Sequence, residues 1–160
     1  METSLGARLA LLLLEGFEAM TDRVVTELAA AGHPGVTATH EFALRAVDQG
    51  AGDASSLARA LGVSRQAAAK TVEALEELGY VERAPDAVDG RRKRLTVTPR
   101  GHEMSAVGGA AFDDLRELWR RAVGADDLRV VETSLLALLD LLAVQEPAAG
   151  AARTRATTGR

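Results

Sequence analysis

Between Asp53 and Gly79 two helical periods are separated by only Gly62, Val63 and Ser64, and that spacing restricts the folds open to the chain. Leu57, Ala58 and Leu61 share one face of the first period. Asp53 supplies its cap, with Ser56 at the capping-box position. Gly62 is the expected left-handed terminator and Val63 the expected apolar plug of the turn. Ser64 caps a second helix, Arg65 to about Leu78, and Gly79 closes it. Ala68, Val72, Leu75 and Leu78 form its core stripe, while Gln66, Ala69, Lys70 and Glu73 face away. Two short helices joined by a glycine turn make a helix-turn-helix.

The outward face carries base-reading chemistry. Gln bonds adenine bidentately, Lys reaches guanine or phosphate, and an Ala methyl leaves room for that of thymine. A solvated helix face would look similar, so the next segment decides. Tyr80–Arg83 and Arg94–Val97 alternate apolar and polar residues, as half-buried strands do. The loop between them, Ala84 to Lys93, is turned by Pro85, Asp86, Asp89 and Gly90. Arg83, Arg91, Arg92, Lys93, Arg94 and Arg100 outnumber Asp86 and Asp89 there, in a chain whose net charge is −4. A basic hairpin beside a helix-turn-helix is the electrostatic footprint of a winged helix on DNA.

With these residues in view, the stretch resembles the MarR family of winged helix-turn-helix regulators. The resemblance lies in Leu57-Ala58 through Leu61-Gly62-Val63-Ser64-Arg65-Gln66, Leu75 through Arg83, the Asp86-x-x-Asp89-x-Arg91 wing, and Val97-Thr98-Pro99-Arg100-Gly101. It implies a mainly α fold with a small β-hairpin. Residues 36–98 would be the DNA-binding region, and 1–35 with 99–145 a helical dimerisation region. Ser64, Arg65, Gln66, Ala69, Lys70, Arg91, Arg92 and Lys93 are the expected DNA contacts. Asp89 would steady Arg91 at the minor groove, and Arg94 would share the phosphate contacts. The family often binds a small aromatic or phenolic ligand between dimer helices and winged unit. Phe17, Met20, His40 and Trp119 are the candidates for it here.

The flanks read as helices. Thr3 or Ser4 caps one from Leu5 to about Ala31, and Gly32-His33-Pro34-Gly35 breaks it. Thr37 caps Ala38 to Asp48, within which Glu41 stands where the family often has an apolar residue. Gln49 to Gly52 connects. Thr98-Pro99 starts a helix to about Ala122, in which Gly108-Gly109 marks a kink or a close approach. Asp126 or Asp127 opens the last helix, which ends near Val144 before Pro147. Residues 146–160 have no periodicity and read as a disordered tail.

Aromatics make up only 3% of the chain, so Leu, Val and Ala must build the core, which favours packed helices. The last helix is apolar nearly all round from Leu135 to Leu142 and must be buried on more than one side. Self-association answers that need, and two-fold symmetry then asks for a palindromic duplex read at points ~34 Å apart. The absence of Cys excludes disulfides and thiolate metal sites. The apolar run Leu9–Leu14 is too short for a spanning or secretory segment, so a cytoplasmic protein with no membrane partner is expected.

No enzyme, cofactor or metal is expected. His40-Glu41-Phe42-Ala43-Leu44 opens like a zinc-protease helix but has Leu where the second His must stand. Two readings compete with an operator-binding repressor. One is a metal-responsive regulator of the same fold, using His40 or His33 with a carboxylate. The other is a winged helix that docks on protein, which would show an apolar or acidic recognition face.

Overall fold

The computed structural model describes residues 4–85 and 93–144. The expectations for Thr3, Asp86, Asp89, Arg91, Arg92, Pro147 and the tail fall outside them. Within them the order is α1 Leu5–Ala30, α2 Ala38–Asp48, α3 Ala54–Leu61, α4 Arg65–Glu77, β1 Val81–Pro85, β2 Lys93–Val97, α5 Pro99–Val123 and α6 Ala125–Val144.

Local capping chemistry sets most of these bounds. Ser4 caps α1 by accepting from the Ala7 N–H at 3.2 Å. Thr37 and His40 form a reciprocal box at α2, as Asp53 and Ser56 do at α3. Gly62 ends α3 at φ 65°. Thr98 Oγ1 accepts from Gly101 N at 3.1 Å and donates to Gly79 O at 2.7 Å, so it starts α5 and ties it to the end of α4. The last helix departs from expectation. It begins at Ala125, after Gly124 at φ 93°, and Asp126 and Asp127 lie in its first turn, where they complement the positive helix end.

The hairpin is antiparallel, with Val81 opposite Val97 and Pro85 opposite Lys93. It is longer on the β1 side than the alternation suggested. Ala84 and Pro85 belong to the strand, because Pro at its last position gives up no interior ladder bond.

One apolar core joins Val24 and Leu28 of α1, Leu44 and Val47 of α2, Leu57, Val72, Leu75, Tyr80, Leu95, and Met104 and Ala111 of α5. Tyr80 anchors it at the root of the hairpin. Its hydroxyl lies 3.1 Å from Nδ1 of buried His33, and the Arg100 guanidinium sits over its ring at 5.2 Å. The chain forms two compact units that part between Leu115 and Arg116. The winged core therefore shares its unit with α1 and the first turns of α5. In the second unit the Arg116 guanidinium donates to both Glu132 oxygens, at 2.7 and 3.1 Å.

Glu41 and the Gly108-Gly109 pair explain each other. Glu41 is fully buried, the Arg45 guanidinium donates to its Oε1, and Oε2 has no hydrogen-bond partner among the described residues. A Cβ on Gly108 would lie 2.8 Å from Glu41 Cγ, and one on Gly109 2.8 Å from an Arg45 nitrogen. The glycines let α5 approach α2 closely, and α5 runs through them unbroken. Burial pushes the Glu41 carboxyl above its usual value of 4.5, against the pull of Arg45. Between that value and the raised one, the folded chain holds a proton that the unfolded chain has released. Stability should therefore fall as pH rises through that window, and Glu41→Gln should flatten the fall. Urea midpoints from about pH 4 to about pH 8 measure both.

Candidate nucleic-acid interface

The reading helix is fixed from behind. Ala68 and Leu75 of α4 are fully buried and Val72 nearly so, which pins the helix by one stripe to the core. The opposite side is thereby turned to solvent. Arg65, Gln66, Lys70 and Glu73 are exposed and Ala69 is half-buried. Ser64 is taken up in capping, its Oγ accepting from the Ala67 N–H at 3.1 Å. The turn before it differs from expectation. Val63 is 41% exposed rather than plugging the junction. The left-handed Gly62 sends the chain outward there, and Leu61 packs against the core instead.

The hairpin is seated beside this helix by polar ties on both strands. On β1 the Arg83 guanidinium donates to both carboxylate oxygens of Glu76 on α4, at 2.8 and 3.4 Å. On β2 the buried Leu95 enters the core, and its N–H donates to Gly52 O at 2.9 Å. Arg94, expected among the phosphate contacts, instead donates through Nη2 to Gly50 O at 2.9 Å. Lys93 is exposed at the start of β2. The local positive charge is thus partly absorbed by the protein. Arg83 is paired, Arg94 is bonded to the connector, and Arg100 rests on Tyr80, while Lys93 and the face of α4 stay available to a polyanion.

The expected ligand residues lie on different elements. Phe17 is 54% exposed on α1, Met20 is half-buried, and His40 serves as a cap, its Nδ1 accepting from Thr37 N at 3.2 Å. Trp119 belongs to the second unit. Sequence reasoning missed what Phe17 does join. Its ring lies 6.4 Å from that of Phe42, which lies 5.7 Å from that of Phe112, so every Phe of the chain falls in one row across α1, α2 and α5. The scarcity of aromatics was the available signal. The two histidines weighed for metal have structural partners, Tyr80 for His33 and Thr37 for His40.

Among the described residues no helix is long and apolar enough to cross a membrane. The sequence model of the MarR family matches residues 35–92, which span α2 to the wing. Solved structures share the fold over most of their length. A MarR family transcription regulator is 23% identical with a TM-score of 0.68, covering 83% of this chain and 84% of that one. The S. aureus MepR–DNA complex is 18% identical at 0.66, covering 87% and 96%. CouR from Rhodococcus jostii RHA1, bound to p-coumaroyl-CoA, is 19% identical at 0.66, covering 86% and 95%. MarR regulators are not enzymes. Residues 35–92, from α2 to the wing, thus carry the sequence pattern of the MarR family of winged helix-turn-helix transcriptional regulators, and the six-helix fold around them is the one those regulators share.

Proposed function

We propose that the protein is a cytoplasmic repressor that binds a palindromic duplex operator as a homodimer and releases it on binding a small aromatic ligand. The observation that carries the reading is the Arg65, Gln66 and Lys70 face of α4, exposed while the other side of the helix is locked in the core. A protein-docking winged helix would present an apolar or acidic face there. Ala69 lies between Gln66 and Lys70, where a thymine methyl would pack. Arg91, Arg92 and Lys93 extend the contact along the backbone. A dimer seated on a promoter blocks polymerase, which is the reason for assigning repression.

Two features support the rest. Large apolar side chains of α1 and α6 are exposed in the single chain, Leu12 at 56% and Leu136 at 64% among them, which is more than a soluble monomer ordinarily leaves open. The Phe17–Phe42–Phe112 row, open at Phe17, offers an aromatic surface to the ligand. The relative crystallised with an aromatic thioester fits that class.

The test is a gel shift with DNA upstream of the protein's own coding region. Binding that vanishes with unrelated competitor DNA would remove sequence specificity from the proposal. Within a bound duplex, Gln66→Ala should lose ~1–3 kcal/mol at one base position and little elsewhere, read by affinities for single-base variants. A uniform loss at all positions would place Gln66 on phosphate rather than on a base.

A further inference from the structure

One side of the wing root is open. An open cleft of about 380 Å³ runs between the hairpin, the end of α2 and the start of α5, bordered by Val47, Asp48, Arg94, Thr96 and His102. Side chains do not fill it, so on this side the hairpin's angle is held by discrete ties. Leu95 and Val81 are the buried apolar ones. Arg83 with Glu76 holds β1 to the reading helix. On β2 the partner is the connector between α2 and α3, and two glycines there make room for one arginine.

Gly50 is at φ 110°, and its carbonyl accepts from Arg94 Nη2 at 2.9 Å. A Cβ on Gly52 would lie 2.5 Å from Arg94 Nε and 3.2 Å from its Cζ. Gly52 O accepts from Leu95 N in the adjacent position. The guanidinium plane thus lies against bare backbone, bonded at one glycine and shaped to the other. A planar, multi-donor group suits this seat; a lysine ammonium does not.

We propose that Arg94 is a positioning residue for operator binding. It clamps the wing to the Gly50–Gly52 connector and so sets where the wing meets the duplex, without itself contributing a phosphate contact. The clamp exists in the free protein; its consequence for affinity rests on the DNA-binding reading above.

Gly52→Ala separates the roles, because it displaces the guanidinium and leaves every charge in place. The chain has no Cys, so Ala60→Cys and Glu82→Cys allow spin labels on α3 and β1 without background. Diluting labelled protein into unlabelled protein restricts the measured distance to one subunit. Arg94→Ala, Arg94→Lys and Gly52→Ala should each broaden that distance distribution in the absence of DNA. Each should bind the duplex that the wild type enriches from a random pool about tenfold more weakly, with an unchanged salt dependence.

The result that overturns the clamp is a narrow, wild-type distribution in Arg94→Lys and Gly52→Ala. A salt slope shallower by ~0.9 in Arg94→Ala, with Gly52→Ala binding as wild type, would instead make Arg94 a phosphate ligand. If Arg94→Ala fails to fold, the lysine and Gly52 variants carry the same test. If the wild type enriches no duplex, the DNA reading fails, while the distance measurement still decides the clamp.

Discussion

In the proposed operator-bound homodimer, Leu139→Glu should part the subunits and weaken operator binding at least ~100-fold while leaving helical content intact. Leu139 is 62% exposed in the single chain, so the substitution removes little from the fold of one subunit. Its neighbours Leu135, Leu136, Leu138, Leu141 and Leu142 are exposed as well, on more than one side of α6. Each Leu fully buried against a partner contributes ~1.5–3 kcal/mol. A carboxylate placed among them would be desolvated without a partner, which costs several kcal/mol more. Once the subunits part, each reading helix must find its half-site alone. Linkage of two binding modules commonly raises overall affinity 10²–10⁴-fold, and that factor is what disappears. Sedimentation gives the mass, circular dichroism the helicity, and a gel shift the affinity. A dimer that survives the substitution would move the subunit seam away from Leu139.

The parts of this molecule that were legible in the sequence are those governed by neighbours in the chain. Ser4, Thr37, Asp53, Ser64 and Thr98 cap as read, and Gly62 and Gly79 take positive φ at helix ends, because each acts within a few residues of itself. The outward side of α4 followed from its period alone. What escaped depends on partners distant in sequence. Gly108-Gly109 read equally as a kink or an approach until Glu41 and Arg45 were seen opposite. The positive charge between Arg83 and Arg100 is plain in the sequence, but its intramolecular partners are not: Glu76, Gly50 and Tyr80 engage Arg83, Arg94 and Arg100. Phe42 and Phe112 lie 70 residues apart, and nothing local announces that they stack on each other and through Phe42 on Phe17.

Gly101 should tolerate no side chain. A Cβ there would fall on the carbonyl oxygen of Tyr80, and within 2.6 Å of Val97 Cγ1. Neither neighbour can give way cheaply. The Tyr80 carbonyl is backbone and accepts from Thr98 N at 3.0 Å, and Val97 pairs with Val81 at the root of the hairpin. Relief would require α5 to lift off the wing, breaking the Thr98 bonds to Gly79 and to Gly101. Overpacking of this kind costs up to ~3 kcal/mol, occasionally more. At 2–4 °C per kcal/mol for a chain of this size, Gly101→Ala should melt ~6–12 °C below wild type. The control is Gly16→Ala in α1, where a Cβ meets nothing within 4 Å. Alanine there improves helix propensity by ~1 kcal/mol, so melting should rise by a few degrees. The two substitutions add the same methyl group to helical glycines, and only contact with the hairpin root separates them. Equal melting temperatures for the pair would mean that the junction of α5 with the wing is looser than its geometry requires.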